Sequence, residues 1–157
     1  MGALRVSPVG VVAGLIAAAT LSLTGLASAS SHAKSVAADA PIKVVYHVSE
    51  GNDQATAALR NIRNHMSADP TVKITVVTHA NGIDFLMDGA KDKSGNEYAA
   101  NVQELVKKGV DFRVCKITLE RRNIDPKKII EEGKFVPSGV AEVARLQAKE
   151  GYVYLKP

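Results

Sequence analysis

Residues 42–77 read IKVVYHVSEGNDQATAALRNIRNHMSADPTVKITVV. Two apolar runs rich in β-branched residues, Ile42–Val48 and Val72–Val77, flank one segment with helical spacing. Each run is mostly apolar throughout rather than alternating, as expected of a strand covered on both faces. Between them Ala58, Leu59, Ile62 and Met66 share one helical face, with Asp53 as the expected cap of a helix through Ser67. Glu50-Gly51-Asn52 breaks the first strand and Asp69-Pro70 makes the return turn. Strand, helix, strand in this order is a parallel crossover unit, which is right-handed.

The alternation continues outward. Thr78-His79-Ala80-Asn81-Gly82 ends the second strand, Ile83–Met87 forms a short helical turn, and Gly89–Asn96 is an exposed loop. Tyr98, Val102, Leu105 and Val106 make a helical stripe that Lys107, Lys108 and Gly109 terminate. Val110–Val114 is a third strand that delivers Cys115, and KITLERRN (116–123) reads as a short helix. Asp125-Pro126 starts a further helix that Gly133 closes. Phe135-Val136 is a short extended piece, Ser138 caps a helix through Lys149, Gly151 ends it, and Tyr152–Leu155 is a last strand. The chain is therefore α/β with a largely parallel sheet.

The first 29 residues have a different character. Arg5 is their only charge, the run that follows is apolar, and Ala27-Ser28-Ala29 matches a small-residue cleavage site. Residues 1–29 are read as a cleavable signal peptide, not a retained anchor, because glycines interrupt the run and the small-residue exit favours cleavage. With no cysteine at the cut, a lipid-anchored N-terminus is excluded. Residues 30–41 are small and polar and read as a flexible linker. The expected mature chain has 157 − 29 = 128 residues, one domain over 42–157, exported to the periplasm or secreted. Loss of Arg5 takes the net charge from +4 to +3. Basic residues are scattered, seven residues are aromatic and none is Trp, so no nucleic-acid surface is expected.

A single cysteine cannot form an internal disulfide, so the fold is not a disulfide scaffold. Open parallel sheets gather reactive groups beyond the carboxyl ends of their strands. Three such ends hold a reactive type: His47, His79 and Cys115. A cysteine at a helix N-terminus is biased toward thiolate, and Lys116, Arg121 and Arg122 follow it. The plain alternatives are a packed thiol and satisfied structural histidines. His32 falls in the linker and His65 on a polar helix face, both solvated. Cys115, His47 and His79 could together ligate zinc or copper, although no close-spaced ligand motif supports it. Dinucleotide, P-loop, zinc-protease and serine-hydrolase motifs are all absent from the sequence.

With these residues placed, the chain resembles the DsrE/DsrF-like family over about Ile42 to Pro157. The resemblance lies in KVVYHVSEGN leading into ALRNIRNHM, in ITVVTHANGIDFL, in GVDFRVCKITLERRNID and in VPSGVAEVARLQAKEGYVYLKP. It implies a flavodoxin-like three-layer domain of about five strands that assembles as a homotrimer or hexamer. It also implies that Cys115 matches the cysteine on which sulfur-trafficking members carry persulfide sulfur. The signal peptide separates this chain from cytoplasmic sulfur relays, which leaves donor and acceptor open. Two functions follow: a sulfur carrier or sulfurtransferase using Cys115 with His47 or His79, or an oligomeric small-ligand or metal-binding module with Cys115 structural. No cofactor is expected in either.

Overall fold

The computed structural model describes residues 40–157. The residues read as a signal peptide, most of those read as a linker, and His32 lie outside the described residues. Five strands are present: β1 (Lys43–Val48), β2 (Lys73–Thr78), β3 (Asp111–Cys115), β4 (Gly133–Val136) and β5 (Val153–Leu155). Four α-helices accompany them: α1 (Asn52–Ala68), α2 (Tyr98–Lys107), α3 (Lys116–Arg121) and α4 (Gly139–Glu150). All pairings are parallel, in the spatial order β4-β3-β2-β1-β5. This is the flavodoxin-like three-layer α/β architecture expected from the sequence. Among the described residues, no helix is long and apolar enough to cross a membrane.

The two sheet faces are built differently. On one, Val44, Tyr46, Ile74, Val76, Phe112 and Val114 pack against Leu59 and Ile62 of α1 and Val102 and Leu105 of α2. Each such large aliphatic or aromatic side chain contributes about 1.5–3 kcal/mol on burial, so this layer supplies most of the hydrophobic stabilisation. The other face is covered by α4, whose Val143 and Leu146 meet Val45 and Val77 in a small cluster. Charge supplements that cluster. Arg113 of β3 bonds Asp111 at 2.7 Å and pairs with Glu142 of α4, while Arg145 holds Glu142 at 2.7 Å and Lys134 holds Asp111 at 2.7 Å. Burial pushes the Asp111 carboxyl up, but Lys134 and Arg113 outweigh it and hold it below the ordinary range. Arg145 and Arg113 do the same for Glu142. A half-buried ion network of this kind fixes where a helix sits more than it stabilises it. Here it ties the start of α4 to the first half of β3.

Three local expectations are corrected. Asp53 does not cap α1; the cap residue is Gly51 (φ +98), and Gln54 Oε1 instead accepts the Ser49 and Glu50 N–H groups at 2.7 and 2.8 Å. Asp53 points outward to Lys93 at 2.8 Å. The helix expected from Asp125-Pro126 is a single 3-10 turn, Pro126–Lys128, with Asp125 accepting the Lys127 N–H at 2.9 Å. Gly133 begins β4 rather than closing that helix, because a Cβ there would lie 2.7 Å from Ile129 Cγ2. His65 is not simply solvated either: its Nδ1 lies 3.1 Å from the Tyr46 hydroxyl. Elsewhere the reading holds, and Ser138 Oγ does accept the Ala141 N–H at the start of α4.

Candidate functional site

Strand register brings the three sequence candidates to one end of one face. His47 pairs with Val77, Val77 with Arg113, and Thr78 with Val114. Side chains alternate along a strand, so His47, His79 and Cys115 share the α4 face at the carboxyl ends of β1, β2 and β3. The His47 and His79 ring centres are 4.7 Å apart. A Cβ on Gly139, the first residue of α4, would lie 3.1 Å from His79 Cβ and 3.3 Å from Cys115 Cβ. Only a glycine lets the helix start approach both residues this closely.

That approach sets the chemistry of the sulfur. Burial pushes the Cys115 thiol up, but the hydrogen-bond donors around the sulfur outweigh it and bring the thiol below its ordinary range. The donors are the Thr118 hydroxyl and the backbone N–H groups of Gly139, Thr118 and Ile117, the last shared with the Pro137 carbonyl at 3.3 Å. The sulfur thus sits where the first turns of α3 and α4 converge, each offering N–H groups with no partner inside its own helix. The Thr118 hydroxyl is held in the donating sense. Its oxygen accepts the Ala80 N–H at 3.0 Å, which leaves the hydroxyl proton for the sulfur. The thiolate is favoured by these donors and not by the flanking cations the sequence suggested. Arg122 is tied down by Asp84 at 2.6 Å and the Ala80 carbonyl at 3.0 Å. Thr118→Val, which removes one donor and strands the Ala80 N–H, is expected to slow Cys115 alkylation at neutral pH about fivefold, the effect of a net loss of about 1 kcal/mol of anion stabilisation. A rate within a factor of two of wild type would refute the donor role.

Cys115 is 4% exposed. It forms part of the floor of an open cleft of about 430 Å³, walled by His79, Ala80, Thr118, Arg121, Ser138 and Val140. The thiol therefore lies deeper than a strand-end residue at an open mouth, yet a channel reaches it. A larger groove of about 520 Å³ runs along α1 and α2. It holds no nucleophile, and its Arg63 and Tyr98 are already bonded to Glu104, Asn101, Thr56 and the Asn52 carbonyl. The Cys115 cleft is the candidate site.

His79 borders this cleft directly, whereas His47 stands behind it with Nδ1 3.0 Å from the Tyr154 hydroxyl of β5. Burial lowers both imidazole pKa values, and His79 and Lys156 lower His47 further against an opposing effect of Glu50. Both rings are neutral at neutral pH. Among the described residues, no group of three or more His, Cys, Asp or Glu is arranged to hold a metal ion, so the Cys115, His47, His79 triple is not a ligand set. Sequence reasoning missed Thr118, Gly139 and Tyr154. The spacing Cys115-x-x-Thr118 across a helix start was a usable signal for the first. The other two meet the site only through contacts distant along the chain.

The model of the DsrE/DsrF-like family matches residues 42–157. No curated protein matches the chain. Among solved structures, a protein of unknown function, MTH1491 from Methanobacterium thermoautotrophicum, is 32% identical with a TM-score of 0.67, covering 74% of this chain and 99% of that one. The YchN protein from E. coli is similar in fold at 15% identity, with a TM-score of 0.59 over 74% of this chain and 98% of its own. Family match, strand order and structural likeness agree: the chain belongs to the DsrE/DsrF-like family.

Proposed function

We propose that this protein is an exported sulfur carrier, periplasmic or secreted, that holds sulfane sulfur as a persulfide on Cys115. The observation that supports it most is the four-donor setting of the Cys115 sulfur at the floor of an open cleft. Such a setting stabilises a thiolate before transfer and an anionic persulfide after it. In loading, the Cys115 thiolate attacks the outer sulfur of a donor such as thiosulfate. The new Sγ–S bond forms as the donor S–S bond breaks, and sulfite leaves with the electron pair. In unloading, an acceptor thiolate attacks the outer sulfur and Cys115 departs as thiolate, stabilised by the same donors. His79, neutral and bordering the cleft, takes the proton from any Cys115 still present as thiol; His47 and Tyr154 back it. A closed homo-oligomer, trimer or hexamer, is part of the proposal, supported by exposed apolar side chains that include Phe135, Val140, Val153 and Leu155.

Intact mass after incubation with thiosulfate or polysulfide tests the reading. The expected result is a gain of one sulfur that reductant removes and that Cys115→Ser never shows. If native Cys115 takes up no sulfur and alkylates only after denaturation, the thiol is packing and the protein is a scaffold or binding module.

A further inference from the structure

His47 and His79 carry a second feature, separate from the proton transfer proposed for His79. Their rings lie side by side at 4.7 Å with planes inclined by 36°. Among the described residues, Nε2 of each ring is buried and meets no hydrogen-bond partner. A buried polar atom left unpaired costs about 1–3 kcal/mol. Native proteins leave only a few such atoms per hundred residues; among the described residues two of five fall on neighbouring rings. We propose that His47 and His79 form an open two-histidine site for a divalent first-row metal ion of the Zn²⁺ type, with the remaining coordination positions filled by water or a small anion from the Cys115 cleft.

The second shell fits this assignment. Metal-binding histidines usually donate the other ring N–H to a fixed acceptor, which sets the tautomer. With its proton on Nδ1, His47 donates to the Tyr154 oxygen at 3.0 Å and leaves the Nε2 lone pair free. Both rings are neutral, the form that coordinates. Protonating both would set two like charges against each other, whereas one shared cation satisfies both lone pairs. Separation indicates the geometry. A linear arrangement places two bonds of about 2 Å end to end with the bulk of both rings beyond them, which exceeds the observed centre-to-centre distance. A bent pair of ligands, as in a tetrahedral zinc site, matches it better. Both Nε2 atoms are buried and only His79 borders the cleft, so an ion enters from the cleft by displacing the His79 ring. With two protein ligands instead of three or four, the site binds more weakly than a structural zinc centre but keeps positions open.

Calorimetric titration of the purified chain with Zn²⁺ at mildly alkaline pH tests the site. One ion per chain is expected. His47→Gln and His79→Gln should each weaken binding at least about tenfold, and Tyr154→Phe about tenfold through the lost second-shell contact. Cys115→Ser should leave binding unchanged. Because either glutamine variant also alters packing, ring-proton NMR of wild type gives a second reading: Zn²⁺ must shift the His47 and His79 signals and leave His65 in place. Absence of binding to wild type, or equal binding by the double histidine variant, overturns the site. Loss of binding in Cys115→Ser also overturns it, since the thiolate would then be a required ligand. A failed titration leaves sulfur loading on Cys115 untouched, so the two readings fall separately.

Discussion

Gly82→Ala is expected to destabilise the fold by at least about 4 kcal/mol, a large part of the total for a domain of this size. A Cβ at this position would sit 2.1 Å from the Val48 carbonyl oxygen, 2.4 Å from its carbon and 2.6 Å from the Ser49 nitrogen. All three are backbone atoms at the end of β1, an interior strand of the sheet, so no side chain can swing away to make room. The turn after β2 would have to lift off, taking with it the Gly82 N–H bond to the His79 carbonyl at 2.9 Å and the His79 N–H bond to the Val48 carbonyl at 3.2 Å. Ile83, Phe85 and Leu86, all buried, follow directly. The requirement is steric, and a comparison isolates it. Gly95 has a left-handed φ of +85 but nothing within 4 Å of a Cβ, so Gly95→Ala should cost only about 1–2 kcal/mol of backbone strain. Urea denaturation of both variants measures the difference. A Gly82→Ala protein within 1 kcal/mol of wild type on this scale would mean that the β1 end and the following turn are not in contact.

Gly82 also marks where sequence reading stops. The strands, α1, α2 and α4 were legible because each has a local cause: apolar runs of strand length, helical stripes, Ser138 as a cap, and Gly109 and Gly151 as stops with φ of +95 and +74. The misjudged places lacked one. After Asp125-Pro126 the sequence has cap chemistry but little apolar periodicity, and tertiary contact to Ile129 turned Gly133 into the start of an edge strand. Asp53 is a good cap by type, yet Gln54 reached the strand end first.

For the site, Cys115, His47 and His79 were legible from strand-end placement alone, because parallel strands in register bring successive ends together. Their electrostatics were not. The sequence pointed to Lys116, Arg121 and Arg122 as the source of positive potential, while the sulfur is served by the Thr118 hydroxyl and peptide N–H groups. Backbone amides are identical at every position, so only the path of the chain tells which ones converge. Thr118 lies within one helical turn of the cysteine and left a faint trace; Gly139 lies 24 positions on and left none.

Gly139→Ala is therefore the sharper probe of the site, and its effect should fall on reactivity more than on stability. The new Cβ would lie 3.1 Å from both His79 Cβ and the Thr78 carbonyl oxygen, and 3.3 Å from Cys115 Cβ. Those contacts are tight but relieved by a shift of a few tenths of an ångström, so the expected loss of stability is about 1–2 kcal/mol. The ion network anchors α4 at Glu142, so the yielding is confined to Gly139 and the residues just before that anchor. That shift withdraws the Gly139 N–H from the sulfur and loosens the packing of His79. Alkylation of Cys115 at neutral pH should slow by tenfold or more, the effect of losing about 1.4 kcal/mol or more of anion stabilisation. At a pH where the thiol is fully ionised in both proteins the rates should converge, which a mere blockage of the cleft would not produce. Stability gives an independent sign. A thiol whose folded pKa lies below its unfolded value stabilises the fold fully above the unfolded pKa, and the contribution is lost as pH falls through the folded pKa. Wild type should therefore gain on Gly139→Ala as pH rises through the thiol range. If the gap stays constant while alkylation slows equally at every pH, helix α4 does not hold the sulfur as an anion, and Gly139 serves packing alone.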